Sequence, residues 1–147
     1  SRGLGDVYKR QILTLLTFLF VAPAYAEHNI DMLNKRDDGA KMVYSEDIVN
    51  VDVGHTVTWL PTSKGHNVEF VAGPEGATLP KKSKMNKEFS HTFETPGIYH
   101  YVCTPHKSMG MIGLVVVGND VSNRVEISLI KAPGKSKKKL AELLDSL

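Results

Sequence analysis

The sequence contains one cysteine, Cys103, in the stretch Tyr99-His100-Tyr101-Val102-Cys103-Thr104-Pro105-His106-Lys107-Ser108-Met109-Gly110-Met111. His106 follows it after two intervening residues and Met111 after four more. A thiolate, an imidazole and a thioether this close together form a soft-to-borderline donor set. Two imidazoles and a thiolate, with a weak axial thioether, suit copper in electron transfer. The second imidazole has a candidate in His66, within Lys64-Gly65-His66-Asn67-Val68-Glu69-Phe70. The plain alternative is a buried apolar cysteine, since free Cys is among the most buried residue types. The donors beside Cys103 favour the metal.

These residues need a scaffold that holds a short loop against a second segment. From Asn29 onward the pattern is short extended runs between turn signals. Asp37-Asp38-Gly39 reads as a turn, and Gly73-Pro74-Glu75-Gly76-Ala77 as a loop. Ile48, Val51 and Val53 lead to a Gly54 turn. Val57 and Trp59 alternate with threonines before Pro61, and Phe89–Thr95 closes at Pro96-Gly97. Many short strands with such punctuation predict an all-β sandwich or barrel with Greek-key connections. Strand parity places Tyr99, Tyr101 and Cys103 inward, with His100 and Val102 outward. His66, Val68 and Phe70 share one face, and Ile112–Val117 reads as a buried strand ending at Gly118.

The tail has a different period. Leu140, Leu143, Leu144 and Leu147 form the stripe of an amphipathic helix. Ser136 is a candidate cap, and Pro133-Gly134 separates this helix from a weaker helical segment, Val121 to Lys131. Its expected role is packing on the sandwich, in preference to binding a membrane or a partner.

At the other end, Ile12–Ala22 is a short apolar run followed by Ala24-Tyr25-Ala26. That is the pattern of a secretory signal peptide cleaved after Ala26. Ser1–Gln11 before it resembles translated adaptor sequence, so residues 1–26 are expected to be leader. The whole chain carries 18 basic and 16 acidic residues. Without Arg2, Lys9, Arg10 and Asp6 the remainder balances at 15 of each, so the basic character belongs to the leader. Lysine clusters at Lys81–Lys87 and Lys131–Lys139 lack the interleaved aromatics of a nucleic-acid surface. About 120 residues suit one domain with one core. A single cysteine in an exported domain is a thiol with a task, since such domains otherwise use cysteines in pairs.

Gly65-His66-Asn67-Val68, Cys103-Thr104-Pro105-His106 and Met109-Gly110-Met111 together resemble the cupredoxin family. Within it the chain is most similar to the pseudoazurins. Plastocyanins share the ligand spacing but end with the strand that carries the last ligand, whereas here a basic tail follows Gly118. The resemblance implies a cupredoxin-like Greek-key β-sandwich over residues 27–118, with a short C-terminal helical extension over residues 119–147 packed on it. It implies one type 1 copper per chain held by His66, Cys103, His106 and Met111, with the amide of Asn67 donating to the sulfur. Pro105 has no N–H, so one possible second donor to the sulfur is missing. It also implies a monomeric periplasmic carrier of single electrons. Its partner would be a copper nitrite reductase or a cytochrome c, docking transiently around His106. Pro105, Met109 and Ile112 would form an apolar rim there with Met42 close by, and Lys35, Lys64, Lys107 and the Lys81–Lys87 cluster would steer an acidic partner.

Two other classes are weighed against a carrier. Multicopper oxidases and nitrite reductases place further histidines around the cysteine or in His-x-His pairs. Here Val102 and Thr104 flank Cys103 and no His-x-His occurs. Copper storage proteins use exposed Met- or His-rich segments or CxxC motifs, which this sequence lacks. No enzyme activity is expected. His28, at the mature N-terminus, and His55, after a turn glycine, read as solvent-exposed. His91 shares parity with Phe89 and Phe93 and reads as partly buried.

Overall fold

The computed structural model describes residues 26–147, so the expected signal peptide, with its apolar run and nearly all of its cleavage motif, lies outside the described residues. Eight strands follow in order: β1 (Glu27–Lys35), β2 (Lys41–Tyr44), β3 (Ile48–Val51), β4 (Thr56–Leu60), β5 (Glu69–Ala72), β6 (Phe89–Thr92), β7 (Gly97–Val102) and β8 (Ile112–Val117). They form two four-stranded sheets, ordered β2-β1-β4-β6 and β3-β8-β7-β5. The chain crosses between the sheets repeatedly after β2, as the Greek-key reading predicts. Helices α1 (Arg124–Ser128) and α2 (Ser136–Asp145) end the chain. Among the described residues no helix is long and apolar enough to cross a membrane.

Alternation along the strands sends one set of side chains between the sheets. Ile30, Met32, Tyr44, Trp59, Phe70, Phe93, Tyr99 and Tyr101 are buried there together with Cys103 and Met111. Tyr101 sits among three rings, with centroids at 4.8 Å to Tyr44, 5.2 Å to Trp59 and 5.6 Å to Phe70. The Tyr44 and Trp59 rings meet it edge to face, and such pairs contribute about 0.5–1.5 kcal/mol each beyond their burial. Opposite Tyr101 on β8 lies Gly113. A Cβ there would come within 2.4 Å of the Tyr101 ring and its hydroxyl oxygen, so only glycine leaves room for the phenol.

The second sheet is covered on both faces, and every residue of β7 and β8 is buried. That is why Ile112–Val117 reads as a continuous apolar run without alternation. Ile98, Val102, Ile112, Leu114 and Val116 point away from the sandwich interior and meet Ile127, Leu140 and Leu144 of the helices. The leucine stripe of the tail therefore packs on the sheet as expected, with Leu143 and Leu147 at its margin.

Several expectations are corrected, the first of them by this cover, while the reading of His91 holds. His100 and Val102 leave the interior on the side that parity gives but are buried under the helices, and the His100 ring lies 3.3 Å from the Gly113 carbonyl oxygen. Burial holds the His100 imidazole down at a pKa of about 4. Ile112 is fully buried and cannot form a surface rim. The segment 121–131 yields only the five-residue α1, consistent with its β-branched Val125 and Ile127. Ser136 does not cap α2; Lys135 holds that position. His28 is part of β1 and half-buried, with Nε2 2.8 Å from Glu46, and His55 is half-buried as well. The strand through Phe89 stops at Thr92, short of Thr95. His91 is partly buried against the Phe93 ring at 4.7 Å, which lowers its pKa through desolvation.

Candidate metal centre

Cys103 directly follows β7, and Met111 directly precedes β8. The stretch between them is therefore the connection of one antiparallel hairpin, whose base is closed by Cys103 N–H donating to the Met111 carbonyl at 2.9 Å. Pro105 stands in the first turn of the short 3-10 helix Thr104–Met109, where its missing N–H costs nothing. The His106 N–H donates to the Cys103 carbonyl, and the Met111 N–H to the His106 carbonyl. A tight, internally bonded loop thus fixes the spacing of its donors.

His66 arrives by a different route. It lies in the loop ahead of β5 instead of on a strand, and β5 pairs with β7 so that Glu69 stands beside Val102. That pairing carries the residues just before Glu69 to the residues just after Val102. The Nδ1 atoms of His66 and His106 lie 3.6 and 3.5 Å from Cys103 Sγ and 3.2 Å from each other. A trigonal ion with bonds of about 2.0 Å to nitrogen and 2.3 Å to sulfur requires donor separations of roughly 3.5–3.7 Å. The three donors fit one metal ion with little movement. His66 and Cys103 are buried, and His106 is partly exposed. Met111 is fully buried in the same core cluster as Cys103, and partly buried Met42 packs against that cluster.

The surroundings orient these groups. His66 Nε2 lies 2.8 Å from Asn34 Oδ1, so this nitrogen carries the proton and Nδ1 keeps its lone pair for a metal. Burial, and then the neighbouring His106, lowers the pKa of His66, favouring the neutral imidazole that ligation needs. Burial pushes the Cys103 thiol up, and the backbone N–H groups of Asn67 and His106 pull it down.

The side chain of Asn67 does more than its turn propensity suggests. It accepts from Thr104 N–H at 2.8 Å and donates to Thr104 Oγ1 at 3.0 Å, and that hydroxyl donates to Glu69 at 2.7 Å. The Asn67 carbonyl accepts from the buried Tyr44 hydroxyl at 2.8 Å. Asn86 N–H donates to the His66 carbonyl, and Asn86 Oδ1 accepts from Gly65 N–H. Asn67, Glu69 and Thr104 thus hold the His66 loop to the hairpin connection, while Asn34 of β1 and Asn86 of the β5–β6 connection hold it from other sides. Asn34 and Asn86 carry no sequence signal for this; Thr104 and Glu69 could have been found only as neighbours of expected ligands.

The surface by His106 carries exposed Pro105 and Met109. Met85 is also exposed, next in sequence to Asn86, whose N–H bonds the His66 carbonyl. Lys35, Lys64, Lys81, Lys82, Lys84, Lys87 and Lys107 are all exposed.

A family model described as copper binding proteins, plastocyanin/azurin family, matches residues 30–118. Pseudoazurin of Paracoccus pantotrophus is 40% identical over 126 residues, covering 83% of this chain and 86% of that protein. The crystal structure of native pseudoazurin from Hyphomicrobium denitrificans aligns with a TM-score of 0.77 at 40% identity, covering 83% of this chain and 98% of that one. Pseudoazurin from Methylobacterium extorquens AM1 aligns with a TM-score of 0.75 at 34% identity, covering 82% and 98%. The cofactor is copper, and the donors form a type 1 arrangement. The chain belongs to the plastocyanin/azurin family of copper binding proteins, within its pseudoazurin branch.

Proposed function

We propose that this protein carries single electrons in the periplasm on one type 1 copper held by His66, Cys103, His106 and Met111, without catalytic activity of its own. The observation that carries this reading is the convergence of His66 Nδ1, His106 Nδ1 and Cys103 Sγ within 3.6 Å of one another on a rigid frame. When bound there, copper supplies a Cu(I)/Cu(II) couple. Cys103 couples that couple electronically to the strand β7, while His106, partly exposed, offers the short way to a partner. The hydrogen bonds that lock both loops keep the donors in place, so little rearranges when an electron moves.

The visible and EPR spectra of the copper-loaded protein test this. An intense blue or green Cu(II) form with narrow copper hyperfine splitting, colourless on reduction, is the expected result. A pale protein with an ordinary type 2 spectrum would overturn the reading. Met111→Gln should retain the visible band and lower the potential, because a harder oxygen donor favours Cu(II). An unchanged potential in protein-film voltammetry would remove Met111 from the axial position and direct attention to Met109.

The partner is a redox protein such as a copper nitrite reductase or a cytochrome c, meeting a monomer of this chain at the His106 edge. Transient redox complexes use small interfaces, so charge acts chiefly on the encounter rate. Lys107 follows His106 directly, Lys64 lies two residues before His66, and both are exposed. Replacing both by alanine should slow stopped-flow electron exchange with an acidic partner at low salt. The deficit should fade as ionic strength rises, since screening acts over about 8 Å at physiological strength. Equal rates across the whole salt series would show that these lysines do not steer.

A further inference from the structure

The C-terminal extension does more than cover the sheet. Its entry into α2 is bonded to the backbone of the loop between Cys103 and Met111. The buried Ser136 hydroxyl donates to the Lys107 carbonyl, and Lys135 N–H donates to the Ser108 carbonyl at 3.0 Å. Gly134 has a φ of +56°, and a Cβ there would meet the Ser108 carbonyl oxygen at 2.4 Å, so the two backbones are in direct contact. The same Lys107 carbonyl accepts Gly110 N–H at 3.2 Å, which places it at the closing turn between His106 and Met111.

Farther along, α2 is pinned by Lys139, whose ammonium lies 2.6 Å from Asp47, itself held by Arg36 at 3.2 Å. Leu140 and Leu144 bury another face of the helix against the sheet. The helix is therefore anchored independently of the loop that it touches. A fixed body bonded to two consecutive carbonyls of a loop constrains that loop, whereas a helix that merely covered it would leave those carbonyls to solvent.

We propose that Ser136 is a positioning residue for the metal site, tying the loop between His106 and Met111 to the C-terminal helix. This rests on the ligand assignment above, in which His106 and Met111 flank the tethered carbonyls. Loss of the hydroxyl releases the Lys107 carbonyl from the helix, leaving it only the Gly110 N–H, and loosens the turn that sets the separation of these two donors.

The test compares Ser136→Ala, Ser136→Thr and Leu144→Ala in the full chain. Leu144→Ala removes buried surface from α2 at a distance from the loop and serves as the control for mere loss of stability. In the metal-free protein, amide hydrogen exchange at Gly110 and Met111 should rise about tenfold in Ser136→Ala, stay near wild type in Leu144→Ala, and recover in Ser136→Thr. In the copper-loaded protein, Ser136→Ala should change the ratio of the visible bands and shift the reduction potential, with Leu144→Ala again like wild type. Unchanged exchange and an unchanged spectrum in Ser136→Ala would overturn the tether while leaving the copper reading intact. Raised exchange in a chain that gives no type 1 spectrum would sustain the tether and sink the ligand assignment. Equal effects from Leu144→Ala and Ser136→Ala would reduce Ser136 to a stability residue.

Discussion

Cys103→Ser should give a folded protein that takes up copper poorly and shows no intense visible band. The colour of a type 1 site comes from the covalency between thiolate and copper, and a hydroxyl is a weak, hard substitute. The fold should survive, because Cys103 lies at the edge of β7 and the aromatic core around Tyr44, Trp59, Phe70 and Tyr101 is untouched. A buried hydroxyl with imperfect partners costs about 1–3 kcal/mol, which thermal unfolding of the metal-free forms would register. Absorption and EPR after copper addition decide the matter. A serine variant with the wild-type band would show that Cys103 is not the source of the chromophore.

The second large effect should come from Gly113→Ala. The added methyl would stand 2.4 Å from the Tyr101 ring, and that ring has no free direction, with Tyr44, Trp59 and Phe70 around it. Overpacking a filled core costs typically about 1–3 kcal/mol. Here the upper end is expected, which for a domain of this size lowers the melting temperature by roughly 10–15 °C. The copper spectrum should shift too, since Tyr101 lies on β7 two residues before Cys103 and its neighbour Tyr44 bonds the Asn67 carbonyl. A melting temperature within a degree or two of wild type would mean that the sheet opens easily at this point.

The chemistry of the site was legible because three of its four donors sit in one hairpin connection, where spacing alone says that they can meet. The fourth, His66, was legible by residue type and by its neighbours. The all-β layering followed from turn residues and alternation, and the leucine stripe announced a helix packed on the sheet. What was hidden depended on tertiary proximity. Alternation tells which way His100 and Ile112 point but not that a helix lies over them. Asn34 and Ser136 are remote in sequence from the groups that they hold, and nothing in their immediate context marks them. Ser136 looked like a cap because serine at a helix start satisfies an amide of its own helix. In the folded protein its hydroxyl is drawn instead to a carbonyl of another segment.

The mixed pairing of the second sheet has a consequence for how the molecule comes into being. β7 and β8 are joined by a short connection, and hairpins of this kind close in about 1–10 μs. β3 must find β8 in parallel, with Ile48 beside Leu114 and Val51 beside Val117, across nearly half of the chain. Such non-local pairings put all-β domains among the slower folders, in the millisecond to second range. The segment bearing Cys103, His106 and Met111 is thus shaped early, while His66 is delivered only when β5 docks against β7. Copper present during refolding will therefore meet an incomplete, three-donor nest first. The order of metal addition and denaturant dilution will then set the kinetic route to the native state without altering its end point.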